Sequence, residues 1–308
     1  MASAIGIRVY KIVVRERGRI KLLSTEDSGL AKPVFDFVSE FIARHSQQIQ
    51  NEQLERSWFF ESKAQKPRNN QGYIHYGTFG FESNFIDNKT KKRNYRRQIS
   101  DIEEIPLYYD FWFPKGQEYG LVAFQSFQGR SCITLTLNRL QEWFEGKSPG
   151  HMLRFHKLSP ADARGKIFST APVKNLRLTR RNAPSDIADQ YFSAKAPREI
   201  DVQLVISARR KSVLGRLRDV INPAKKQADS ILSYEGIEFS EAVADIQFGG
   251  QTRRVNVWGA GGDAGVVDIT NQIVRGSDGH PTFESLQKET GRLLRDFSKV
   301  LASRRNEN

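Results

Sequence analysis

Apolar residues recur along this chain in two rhythms, and the rhythms predict its elements. Ile5 to Val14 is rich in Ile and Val and alternates in part, which predicts a strand. Arg19 to Leu23 is its expected hairpin partner across Glu16, Arg17 and Gly18. Pro33 then opens a stretch in which Phe35, Val38, Phe41, Ile42, Ile49 and Leu54 fall at helical spacing, so a helix is expected over 33–56. From Gly72 to Leu137 the rhythm is that of strands. Tyr73–Tyr76, Thr78–Ile86, Ile105–Phe113 and Tyr119–Phe127 are each bounded by Gly, Pro, Asn or Asp. Ser131 to Asn138 alternates through Ile133, Leu135 and Leu137. Leu137, Leu140, Trp143 and Phe144 then fit a helix, so a strand running into a helix is expected.

The second half mixes both rhythms. Met152–Leu158, Val173–Thr179, Ile200–Ala208, Val243–Phe248, Val255–Trp258 and Val266–Ile269 read as strands. Ser212–Tyr234 reads as a helix split by Pro223. Thr282–Leu301 reads as a closing helix with one apolar stripe: Phe283, Leu286, Thr290, Leu293, Leu294, Phe297, Val300 and Leu301. Strands and helices do not alternate one for one. The expected class is therefore α+β, an aromatic-rich, largely antiparallel sheet with packed helices, and a smaller mixed half ending in a long helix. Loose text at 146–150 and 159–165 suggests a β-rich domain over 1–158 and a mixed domain over 159–308.

Composition narrows the class. The chain has 308 residues, 38% hydrophobic and 11% aromatic, enough for a sizeable core. Its single cysteine, Cys132, excludes an internal disulfide and a multi-cysteine zinc site, which fits a reducing cytoplasm. The N-terminal apolar stretch is broken by Arg8 and Lys11, and no run is long enough to span a bilayer, so neither a secretory signal nor a membrane partner is expected.

Charge changes the picture most. The formal net charge is +13. An excess of this size points to a polyanion, most often nucleic acid. The densest run is 88–97, where Lys89, Lys91, Lys92, Arg93, Arg96 and Arg97 surround Tyr95. Between two strand-like segments this run should be an exposed loop, with cations for phosphates and a ring for an unpaired base. A second cluster holds Arg209, Arg210, Lys211, Arg216, Arg218, Lys225 and Lys226, with Arg209, Arg216 and Lys226 placed on one face of the expected helix.

Catalytic signals are sparse. Glu61-Ser62-Lys63 follows Trp58-Phe59-Phe60 and resembles the PD-(D/E)xK nuclease motif, in which the Glu helps to hold a divalent metal and the Lys orients water. The nearest upstream acid, Asp36, falls on the expected helix and not on that family's hairpin. The glycines of 259–265 lead into a strand, whereas a phosphate loop needs a helix, so a hairpin is expected there. Gly146-Lys147-Ser148 lacks a Walker loop's upstream glycine, since Gln141 stands in its place. Asp278-Gly279-His280-Pro281 reads as a turn before the last helix.

The text Gly72-Tyr73-Ile74-His75-Tyr76-Gly77-Thr78-Phe79-Gly80-Phe81, followed by Pro106-Leu107-Tyr108-Tyr109-Asp110-Phe111-Trp112-Phe113-Pro114, is the most distinctive. Over residues 1–150 the chain resembles uncharacterised bacterial proteins encoded among mobile elements and anti-phage defence genes. That resemblance implies a cytoplasmic defence component that meets phage nucleic acid or a phage protein, and it brings no catalytic motif. The leading expectation is thus a non-catalytic protein that binds DNA or RNA, without a cofactor. The alternatives are a Mg²⁺-dependent nuclease using Glu61 and Lys63, and a subunit that docks an acidic partner protein. Oligomeric state stays open, a homo-oligomer included.

Overall fold

The structure, a computed structural model, describes residues 4–26, 29–127, 130–158, 168–183, 200–221, 233–234, 237–258 and 265–305. The fold is α+β, built on a large antiparallel sheet and ending in the helix Phe283–Arg305. The chain forms two compact units that interleave in sequence. One comprises 1–11, 156–274 and 288–308; the other comprises 12–155 and 275–287. Strand β1 (Ile5–Glu16) and the C-terminal helix each contribute to both. Among the described residues no helix is long and apolar enough to cross a membrane.

In the second unit the strand order is β8 (Gly120–Phe127), β7 (Glu103–Trp112), β4 (Asn69–Thr78), β3 (Arg56–Lys66), β2 (Ile49–Asn51). One sheet face packs on helix α1 (Val34–Arg44), whose Phe41 lies against Trp58 and Phe60. Phe37 of α1 meets Phe144 of helix α2 (Ile133–Lys147) edge to face at 5.2 Å. Tyr73 and Tyr108, on the opposite sheet face, pack against Phe283. The aromatic text is therefore divided between two faces. Tyr108, Tyr109, Phe111 and Phe113 are buried, whereas Phe81 is exposed.

Several expected elements differ. Residues 19–23 form no strand. Leu23 N–H donates to the Val14 carbonyl, and β1 pairs instead with β17 (Val267–Asp268). Helix α1 stops at Arg44, where the His45 ring Nδ1 lies 2.7 Å from the Phe41 carbonyl. Ile49 joins β2, pairing with Trp58, and Leu54 is exposed. Residues 133–138 are helical throughout. Ile133, Thr136, Leu137, Leu140 and Phe144 are buried at helical spacing, so the Ile133/Leu135/Leu137 alternation was coincidental. Cys132 stands just before this helix, and burial pushes its thiol up to about 12.

Gly72 is required by close approach. A Cβ there would stand 2.0 Å from the Glu61 carbonyl oxygen of the neighbouring strand. Gly72→Ala is expected to force the two strands apart and cost about 1–3 kcal/mol of stability. An unchanged urea midpoint in that variant would contradict this account of the position.

In the first unit the order is β11 (Ile200–Ser207), β10 (Pro172–Ala183), β15 (Glu241–Phe248), β16 (Gln251–Trp258), β17, β1. Phe168, Phe248 and Phe297 form a ring cluster with centroids 5.0–5.3 Å apart, seating the C-terminal helix on this sheet. Arg253 of β16 is buried there between Glu289 and Asp296 of that helix, at 2.7 and 2.9 Å. Ser212–Tyr234 is not one helix. Gly215–Arg216 pairs with β10, Leu217–Ile221 is a short helix, and Ser233–Tyr234 is a strand. Gly215 at φ 139° takes a conformation that breaks a helical path. The expected split at Pro223 lies outside the described residues, as do the loose stretch 159–165 and the glycines 259–264.

Candidate nucleic-acid interface

The run 88–97 folds as the turn and second strand of a separate two-stranded ribbon. Strand β5 (Ser83–Ile86) pairs antiparallel with β6 (Arg93–Arg97). Asp87 organises the turn. Its Oδ1 accepts from the Lys89 N–H at 2.9 Å, the Thr90 N–H at 2.6 Å and the Thr90 hydroxyl at 2.9 Å. These donors, the Thr90 N–H foremost, hold the Asp87 carboxyl below the usual range. Asp87 N–H donates to the Lys92 carbonyl and Lys91 N–H to the Asp87 carbonyl, closing the loop. An Asp that satisfies the backbone two and three residues on is the usual chemistry of such a turn. Its result here is that Lys89, Lys91 and Lys92 stand at an exposed tip.

The register decides which side chains share a face. Phe85 pairs with Tyr95 and Asn84 with Arg96, but Ile86 pairs with Arg93, so Asn94 is an extra residue in β6. Strict alternation would have grouped Arg93, Tyr95 and Arg97. The bulge moves Arg93 to the face of Ile86, Asn84 and Arg96, while Phe85 and Tyr95 remain on the other. The Phe85 and Tyr95 rings lie 6.0 Å apart at 34°, and both are about half exposed, at 46% and 51%. The Tyr95 hydroxyl donates to Asp101, whose carboxylate also accepts from the Gln98 N–H at 2.7 Å. The bond from Tyr95 lowers the Asp101 carboxyl and raises the phenol.

Arg97 differs from its neighbours in kind. Its side chain is 2% exposed. It donates to the carbonyls of Thr78 and Asp101, pairs with Glu103 at 3.1 Å, and lies over the Phe81 ring at 4.1 Å. Glu103 also holds Arg130. With each guanidinium nitrogen already donating and the side chain buried, Arg97 is the root of the ribbon and has no surface left for a phosphate. Arg96 pairs with Glu82 at 2.7 Å in the open. Lys89, Lys91, Lys92 and Arg93 are exposed and form no ion pair among the described residues.

The second basic cluster belongs to the other unit. Arg209, Arg210 and Lys211 occupy a turn after β11 in which the Ser212 N–H and hydroxyl donate to the Arg209 carbonyl at 3.0 and 2.8 Å. Lys211 takes a positive φ of 66°. Arg216 is exposed on a two-residue strand. The helix face expected to unite Arg209, Arg216 and Lys226 is therefore not formed by the first two, and Lys225 and Lys226 lie outside the described residues.

Glu61 and Lys63 do meet, on the outer face of β3. Lys63 Nζ lies 2.5 Å from Glu61 Oε1, while Glu61 Oε2 is 3.0 Å from His75 Nε2 and Glu104 Oε1 is 2.9 Å from His75 Nδ1. His75 stacks on Phe59 at 4.5 Å, nearly parallel. Lys63, then His75, hold the Glu61 carboxyl below its usual range. Nearby Tyr73 is pushed up to about 12, by burial first and then by Glu284, Glu61 and Asp278. The arrangement is a linear chain of polar contacts in which Lys63–Glu61 is the ion pair. Among the described residues no group of three or more His, Cys, Asp or Glu side chains is placed to hold a metal ion. Asp36 sits in the first turn of α1 and not on a strand beside Glu61. The turn at Asp278 is closed by its own side chain: the Asp278 carboxylate accepts the His280 N–H at 3.0 Å.

Sequence reasoning missed Phe85, Ile86 and the anchoring role of Arg97. The signal for the first two was present, since apolar residues flank the charge run where a purely solvated loop would carry none. His75 and Glu104 had no signal, because 29 residues separate them and only pairing between strands brings them together. Neither the family models nor the curated proteins compared with the chain match it.

Proposed function

We propose that the protein binds nucleic acid through the β5–β6 ribbon. The observation that carries this reading is the coincidence, on one rooted hairpin, of four cations without acidic partners among the described residues and a half-exposed pair of aromatic rings. Cations left unpaired retain their counterions until a polyanion displaces them, and that release drives phosphate binding. The buried Arg97 anchor means that less ordering entropy is lost when the ribbon engages. Arg209, Arg210, Lys211 and Arg216 offer further phosphate contacts on the other unit. The resemblance over residues 1–150 favours a role in bacterial anti-phage defence.

The test is purification without nuclease treatment, then fluorescence anisotropy with labelled DNA and RNA over a salt series. The affinity is expected to fall linearly on a log–log plot against salt, by one power of roughly 0.7–0.9 for each phosphate contacted. No binding to DNA or RNA at about 50 mM salt would overturn the reading. A second reading, metal-dependent cleavage, draws on the ionised Glu61 beside Lys63. It requires Mg²⁺-dependent activity that disappears in Glu61→Gln, and intact cleavage in that variant removes it.

A further inference from the structure

Ten large apolar side chains are conspicuously exposed among the described residues, and Phe81, Phe85, Ile86, Tyr95 and Ile99 are five of them. Half of the exposed apolar side chains thus lie within nineteen residues, on the ribbon or at its root. Lone exposed apolar residues are ordinary, whereas exposed rings packed side by side, as Phe85 and Tyr95 are, mark a surface that is covered in use. Charge complementarity says by what. The cations beside these residues, Lys89, Lys91, Lys92 and Arg93, have no acidic partners among the described residues, so the occupant carries regular negative charge and also a flat apolar surface. A duplex presents phosphates but keeps its base faces stacked inside. An unpaired strand presents both.

We infer, resting on the function proposed above, that the ribbon takes single-stranded nucleic acid. Unpaired bases stack on the outward faces of Phe85 and Tyr95, and phosphates meet the tip lysines. The rings are 6.0 Å apart and tilted by 34°, so neither covers the other's face fully. The bond from the Tyr95 hydroxyl to Asp101 fixes the orientation of one ring before any ligand arrives. The bulge at Asn94 keeps Arg93 off this face, which leaves the rings uncrowded by a hydrated cation. Stacking has no preference among sequences, because every base has a π face.

The experiment compares a labelled oligothymidylate of about twelve nucleotides with a blunt duplex of equal length at one salt concentration. The full-length protein, Phe85→Ala/Tyr95→Ala and Tyr95→Phe are measured in parallel. The wild type is expected to favour the single strand at least tenfold. The double alanine variant is expected to lose about ten- to a hundredfold on the single strand, with little change on the duplex. Tyr95→Phe keeps the ring and should keep the preference. A thermal melt shows that each variant is folded, and both positions are exposed enough for that to be expected. Equal affinity of the wild type for the two forms would overturn the inference while leaving phosphate binding intact. Equal losses on both forms in the double variant would do the same. Absence of binding to either form would overturn the proposed function itself.

Discussion

Charge reversal at Lys91, Lys92 and Arg93 together is expected to weaken nucleic-acid binding on the order of a hundredfold at about 0.1 M salt. The magnitude follows from counterion release. Each phosphate contact contributes a power of roughly 0.7–0.9 in salt concentration, and the term vanishes near 1 M. One decade lower, three contacts are therefore worth about two powers of ten or more. The salt slope should fall by about 2–3 in the same variant, and the loss should be alike for all base sequences, since phosphates carry no sequence information. All three side chains are exposed and none pairs with an acid among the described residues, so the fold should tolerate the change. The control is reversal at Arg209, Arg210 and Lys211, which are also exposed. A ribbon variant with the affinity and slope of the wild type would end the claim that this hairpin is the contact surface. A larger loss in the control would move the principal contact to the other unit.

Arg253→Met is expected to destabilise the protein by about 3–5 kcal/mol. Arg253, Glu289 and Asp296 have side chains 4%, 5% and 12% exposed. The attraction between these charges offsets the large cost of removing them from water, and deleting the single central cation leaves two carboxylates confined together. Arg292 is a weak substitute at 3.8 Å from Glu289, itself 45% exposed. The damage should fall on the seat of the C-terminal helix, because both acids project from it. With a total stability usually between about 5 and 15 kcal/mol, the loss is a large share. Urea denaturation of the variant measures it. Adding Glu289→Gln and Asp296→Asn should restore part of the loss, since a neutral set no longer confines charge. A single variant with the wild-type midpoint would show that the network contributes nothing net.

Much of the architecture was legible in local pattern. The strands of the antiparallel sheet follow from short runs of Ile, Val, Tyr and Phe between turn residues. The closing helix follows from Leu286, Leu293, Leu294 and Phe297, which recur at three, four and seven residues and are buried. Where pattern misled, the reason was a partner distant in sequence. Ile49 continues the spacing of α1, yet pairing with Trp58 draws it into the sheet. Ile133, Leu135 and Leu137 alternate like a strand, yet the buried set extends to Leu140 and Phe144 and only a helix presents those together.

The candidate interface divides in the same way. The sequence by itself determined that six cations and Tyr95 occupy ten residues, and composition alone made that run polar. Only the tertiary structure decided that Arg97 is buried at the root, that Arg93 lies across the ribbon from Tyr95, and that Phe85 stands beside Tyr95 in the open. It also brought Glu61, His75 and Glu104 into one chain. The physical reason is that a side chain's type is local, whereas its neighbours are set by strand register. One extra residue, Asn94, reverses the alternation of all that follow it along the strand.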